Sequence, residues 1–96
     1  ANERYLIDIS QGFVLLGDAT THGGEVLSAS STTIIQGKPV ALVGDLVICP
    51  IPGHGVNAIV EGCAEWSEDG RAMVVNGCLC ECGCQVIASV PDCVVG

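Results

Sequence analysis

The chain has 96 residues, of which 49% are apolar, 15% charged and 3% aromatic, and it carries 13 glycines, 7 cysteines and a formal net charge of −8. That length allows a single domain, residues 1–96, and the apolar content excludes a disordered chain. Three basic residues against eleven acidic ones exclude nucleic acid as a partner, because phosphates demand a basic surface.

The opening residues, Ala1-Asn2-Glu3-Arg4, lack a charged n-region followed by an apolar h-region, so no signal peptide is expected. No apolar run reaches the roughly 18 residues that span a bilayer. Helical periodicity is nearly absent. Phe13-Val14-Leu15-Leu16, Val40-Ala41-Leu42-Val43 and Met73-Val74-Val75 are short, aliphatic and partly β-branched, and glycine, proline, asparagine or aspartate closes each one. Gly12, Gly17, Gly37, Gly44, Gly70 and Gly77 punctuate the chain where turns need positive φ. The pattern predicts an all-β chain of short strands and tight turns.

Internal repetition organises those strands. Gly37-Lys38-Pro39-Val40-Ala41-Leu42-Val43-Gly44-Asp45 aligns without a gap on Gly70-Arg71-Ala72-Met73-Val74-Val75-Asn76-Gly77-Cys78, and Gly12-Phe13-Val14-Leu15-Leu16-Gly17-Asp18 is a shorter copy. Four residues after Asp18, Asp45 and Cys78 stand His22, Cys49 and Cys82. Downstream, His22-Gly23-Gly24-Glu25-Val26-Leu27 resembles Cys82-Gly83-Cys84-Gln85-Val86-Ile87. Three equivalent hairpin units around an axis would therefore bring three metal-ligand side chains to one point.

Seven cysteines is an odd number, poorly suited to a disulfide framework, and at this density thiols point to metal. A closed tetrahedral zinc site needs a fourth ligand. Cys49-Pro50-Ile51-Pro52-Gly53-His54 supplies it from a stiff loop, giving His22, Cys49, His54 and Cys82 as the expected set. Two thiolates neutralise Zn2+, so the ion can sit in a poorly solvated position without leftover charge. Cys78, Cys80, Cys82 and Cys84 alternate along the sequence. On an extended strand they would share one face, spaced about 6.5–7 Å apart, too far for a single ion. A separate thiol-rich cluster stays open as an alternative, and Cys84, Cys80 or Cys78 are the substitutes for Cys82. Cys63 and Cys93 read as core or surface thiols.

GDATTHGGEV, GKPVALVGD, CPIPGHG, IVEG and CGCQVIAS, in this order, resemble a PAAR-repeat protein, the family that sharpens the spike tip of type VI secretion systems. The resemblance covers about Leu16 to Ser89, within a repeat core of about residues 12–89. It implies a cone of short β-strands and hairpins with pseudo-threefold symmetry, a broad base seated on a trimeric VgrG spike, and one structural zinc near the apex. The family's metal ligands fall on His22, Cys49, His54 and Cys82. Members with three histidines and one cysteine are typical, whereas this chain holds two histidines in total and is richer in thiol.

The functional expectation is a structural and interaction protein, one chain capping each spike trimer and helping deliver effector proteins, with transient contact to the target membrane. It is expected to be a monomer on its own, cytoplasmic before assembly, then exported on the spike. Whatever effector it helps deliver is expected to be encoded elsewhere or to bind noncovalently. The alternative is a soluble cysteine-rich zinc module acting as a metal buffer or chaperone. An enzyme is not expected: the four candidate ligands fill the shell that catalytic zinc keeps open, and no HExxH or deaminase pattern accompanies them.

Overall fold

The computed structural model describes residues 12–89; Cys93 and the two chain ends lie outside them. Among the described residues there is no helix, and the strands are short, antiparallel and arranged in small sheets. They are β1 (Glu25–Val26), β2 (Ile34–Ile35), β3 (Lys38–Pro39), β4 (Leu46–Cys49), β5 (Gly55–Ala58), β6 (Cys63–Glu68) and β7 (Arg71–Met73). One sheet runs in the order β1-β4-β5, while β2-β3 and β6-β7 are two-stranded.

The three aliphatic runs form the centre, and they do so as a closed triangle. The Val14 N–H donates to the Val74 carbonyl, Val74 N–H to Ala41, and Ala41 N–H back to Val14, each at 2.9 Å. Bridges at Leu15–Val40, Leu42–Met73 and Phe13–Val75 flank those bonds, so every run pairs with both of the others. Closure satisfies backbone groups that would otherwise be stranded in the core, because Val14, Ala41 and Val74 have no exposed surface at all. The centres of the runs are thus fully enclosed, although they meet one another through single bridges rather than continuous strands.

A turn follows each run. Asp18 N–H bonds the Leu15 carbonyl at 3.0 Å, Asp45 bonds Leu42 at 2.9 Å, and Cys78 bonds Val75 at 3.2 Å. The third residue of each turn is Gly17, Gly44 or Gly77, with φ of 88°, 96° and 88°, as a type II turn requires. Beyond the turn each repeat pairs with a neighbour in cyclic order: Val47 with Val26, Cys80 with Ile59, and Thr20 with Val86. Val26, Val47, Ile59 and Val86 are fully buried by this interlock, and each such side chain contributes about 1.5–3 kcal/mol.

Two hairpins precede the second and third runs. The β2–β3 turn places Gln36 and Gly37 at positive φ, and the β6–β7 turn does the same with Asp69 and Gly70. Both are two-residue turns whose twist matches the flanking strands. The Glu68 carboxylate ties the hairpins together, accepting from Thr32 N–H at 2.8 Å and from the Thr32 hydroxyl at 3.1 Å. A register shift between Cys63 and Ser67 bends β6, and the Trp66 ring meets Phe13 edge-on, with centroids 6.0 Å apart.

Candidate metal centre

Each repeat leaves its turn and reaches one polar side chain four residues later. His22, Cys49 and Cys82 stand at these equivalent positions, Cys49 closing β4. The middle repeat differs by an inserted loop, Pro50 to Gly53, that returns the chain to β5 with Cys49 paired to Gly55. Its turn, fixed by His54 N–H to the Ile51 carbonyl at 3.0 Å, swings His54 to the same point.

The four side chains converge. Their ligand atoms all lie within 4.8 Å of one another. His22 Nδ1 and His54 Nδ1 are each 3.3 Å from Cys49 Sγ, and the two imidazole rings are 5.6 Å apart at a tilt of 51°. A tetrahedral ion with metal–sulfur bonds of about 2.3 Å and metal–nitrogen bonds of about 2.0–2.1 Å holds its ligand atoms about 3.3–3.8 Å apart. The cluster therefore fits a small divalent ion after only a slight contraction. Cys49 is buried, and the other three are half-buried.

Neighbouring groups hold the ligands in place. Cys82 N–H donates to Asn57 Oδ1 at 3.2 Å. Glu81 bonds Ala58 twice, once from its N–H to the carbonyl and once through its carboxylate to the Ala58 N–H, both at 2.9 Å. Gly24 N–H donates to Thr20 Oγ1 at 3.0 Å, closing the turn that carries His22. Burial alone would raise the Cys82 thiol, but hydrogen bonds from the Cys84 backbone, the Cys84 thiol, His54 and Cys49 outweigh it and bring it down to about 6. A thiol so lowered is ready to bind as thiolate. Burial pushes Cys80 up to about 12 and also raises Cys78 and Cys84, so these three remain protonated thiols.

Cys78 to Cys84 do not lie on one extended strand. The segment folds back on itself: Gly83 N–H bonds the Cys80 carbonyl, Cys80 N–H bonds the Cys84 carbonyl, and Leu79 bridges Gln85. A turn at Glu81-Cys82 sends Cys82 toward the histidines and returns Cys84 to the core. Among the described residues, Cys82 alone of that run joins the cluster. Cys63 packs against the core, while Cys93 is outside the described residues. The sequence carries no signal for Asn57, which lies in the unremarkable strand Gly55-Val56-Asn57-Ala58.

An all-β chain of three interlocked repeats that gathers two imidazoles and two thiols at one point is a small module with a candidate metal site. The family model for the PAAR motif matches residues 16–88, and the chain belongs to that family. No curated protein matches it.

Proposed function

We propose that this protein is the tip of a type VI secretion spike, a non-catalytic part that caps a trimeric VgrG protein and carries one zinc ion. The observation that carries the reading is the closed triangle of Val14, Ala41 and Val74, which gives a single chain the rotational symmetry of three identical partners. Capping also covers the unpaired strand edges at the blunt end of a β-helical trimer, which would otherwise promote aggregation. Zinc suits a tapering apex, where too little volume remains for a hydrophobic core. His22, Cys49, His54 and Cys82 would hold it, with the two thiolates balancing its charge.

In this reading the chain folds in the cytoplasm as a monomer, docks by its broad base, and leaves on the spike together with effector proteins. Base contacts are backbone pairing and apolar packing, so the complex should resist salt better than a charge-driven one. Its charge of −8 then serves solubility before docking. Mixing the purified chain with a trimeric spike protein of the same system and weighing the complex tests the proposal. One chain per trimer, stable in high salt, is the expected outcome. Three chains per trimer, or several exchangeable zinc ions and no complex, would favour a metal buffer.

A further inference from the structure

Cys84 has no place in the metal cluster, yet its sulfur lies 3.3 Å from that of Cys82. A single glycine separates the two residues, and the turn at Glu81-Cys82 leaves their sulfurs in contact where the metal cluster meets the core. Cys82 is half-buried at the rim, whereas Cys84 is completely enclosed and Cys80 is buried to 3% exposure. An oxidant from solution therefore meets Cys82 first, and the Cys84 sulfur stands 3.3 Å from the oxidised one, with the Cys49 thiol of the metal cluster as its competitor.

We propose that Cys82 and Cys84 are a redox couple that closes to an intrachain disulfide and in doing so withdraws one ligand from the metal site. The metal-release half of this proposal rests on the metal-site reading above; the disulfide itself does not. A disulfide bond is about 2.05 Å long, so the two sulfurs must approach by a little over 1 Å. Gly83, with no side chain, lets the turn tighten that far.

The oxidant is a low-molecular-weight disulfide. Cys82 sulfur attacks one of its sulfurs, forming a mixed disulfide and expelling one small thiol. Cys84 sulfur then attacks the Cys82 sulfur, and the second small thiol leaves. In the metal-free chain the two protons of Cys82 and Cys84 pass to the two departing thiols, and the two electrons pass with them. When Cys82 is a metal-bound thiolate, only Cys84 supplies a proton; one small thiolate leaves unprotonated, and the divalent ion departs from a shell of three. Both steps are ordinary thiol–disulfide exchange.

The full chain, metal-free and zinc-loaded, is treated with excess oxidised glutathione, mapped as non-reduced peptides, and followed for zinc release with a chromogenic chelator. The expected map of the metal-free chain shows a Cys82–Cys84 link. In buffers holding both oxidised and reduced glutathione, the wild type should lose zinc at an oxidised-to-reduced ratio at least about tenfold lower than Cys84→Ala requires, because Cys84 expels the glutathione that reduced glutathione would otherwise remove. Cys84→Ala keeps all four ligands but lacks this resolving thiol. Cys84→Ser, closer in size to cysteine, should match Cys84→Ala, so a packing defect in one variant cannot mimic the effect. A stable glutathione adduct on Cys82, a Cys80–Cys84 link, or zinc release from wild type and both variants at the same ratio would overturn the proposal. A chain that forms the Cys82–Cys84 link yet never binds zinc would refute the metal-site reading and leave the couple standing.

Discussion

Asp45 and Cys78 occupy the same place in successive repeats, and each donates its backbone N–H to the carbonyl three residues before it, Asp45 to Leu42 at 2.9 Å and Cys78 to Val75 at 3.2 Å; the Asp45 carboxylate in turn accepts the Leu42 N–H at 2.7 Å. Asp45 does far more besides. Its carboxylate also accepts from Ser30 N–H at 2.9 Å, from the Ser30 hydroxyl at 3.0 Å and from the Ser28 hydroxyl at 3.1 Å, and Arg71 approaches to 3.6 Å. Asp18 plays the same part in the first repeat, accepting from Leu15 N–H at 2.8 Å and the Ser89 hydroxyl at 2.6 Å.

Removing the Asp45 carboxylate strands two backbone N–H groups at once. Asp45→Ala should therefore cost about 3 kcal/mol in urea unfolding, against about 1 kcal/mol for Cys78→Ala, where only a little buried volume is lost. Equal losses would mean that the serines and Arg71 do not depend on this carboxylate.

Acid should weaken the same network. Burial alone would raise the Asp45 carboxyl, but the Leu42 and Ser30 N–H groups and the two serine hydroxyls outweigh it and hold the group below its ordinary value of 3.8. A folded-state value below the unfolded one stabilises the fold above the ordinary aspartate range, and that stability is lost as pH falls through the folded value. Metal-free protein isolates the effect from competition between protons and metal. Its urea midpoint should fall more steeply below pH 4 in the wild type than in Asp45→Asn, and parallel curves would place the acid sensitivity elsewhere.

Zinc should contribute folding free energy outright, on the order of 10 kcal/mol where a small domain depends on it. Here the enclosed triangle retains part of the fold, so chelation should lower Tm by roughly 15–30 °C, with full recovery on adding zinc back. His22→Ala and Cys82→Ser should each reproduce the loss and no longer respond to chelator. Cys63→Ser should change Tm little and keep the response. Elemental analysis showing no metal, or a coloured iron cluster, would refute this assignment.

Gly24 tests how the ligand loops are held. A Cβ at this position would collide with the Ile48 carbonyl of β4 and stand 3.2 Å from Thr20 Oγ1. Because β1 and β4 pair right there, Glu25 opposite Ile48, the strand cannot retreat without releasing the turn that bears His22. Gly24→Ala should lower both Tm and zinc affinity. Gly37→Ala is the contrast: a Cβ there meets nothing within 4 Å, so its cost is confined to backbone strain and zinc affinity should be unchanged. Calorimetry on both variants separates the two effects.

Much of this arrangement is legible in the residues. Gly-Asp after the first two aliphatic runs and Gly-Cys after the third mark the turns, and counting four residues onward from each turn finds three of the cluster's side chains; the proline-bounded loop finds the fourth. What escapes is set by long-range pairing. Cys63–Glu68 is the longest strand among the described residues yet shows no regular alternation, because the shift between Cys63 and Ser67 interrupts its period. The alternating cysteines suggest one flat face, but backbone bonds between Cys80, Gly83 and Cys84 fold the segment and divide its thiols between site and core. Asn57 reaches Cys82 only because β5 lies beside the third repeat.

The triangle also governs how the chain must reach its native state. Val14 and Val74 lie sixty residues apart, and neither the first repeat nor the first two can satisfy the ring's donors and acceptors without the third. Contacts this distant in sequence close late, since loop entropy is spent before they form. The chain should accordingly fold slowly for its size and in one cooperative step, and a fragment ending before residue 70 should have no native core. Architectures assembled from stacked repeats tolerate the loss of a terminal unit because each unit touches only its neighbours. In a ring every unit is a neighbour of every other, so this domain has no terminal unit to lose.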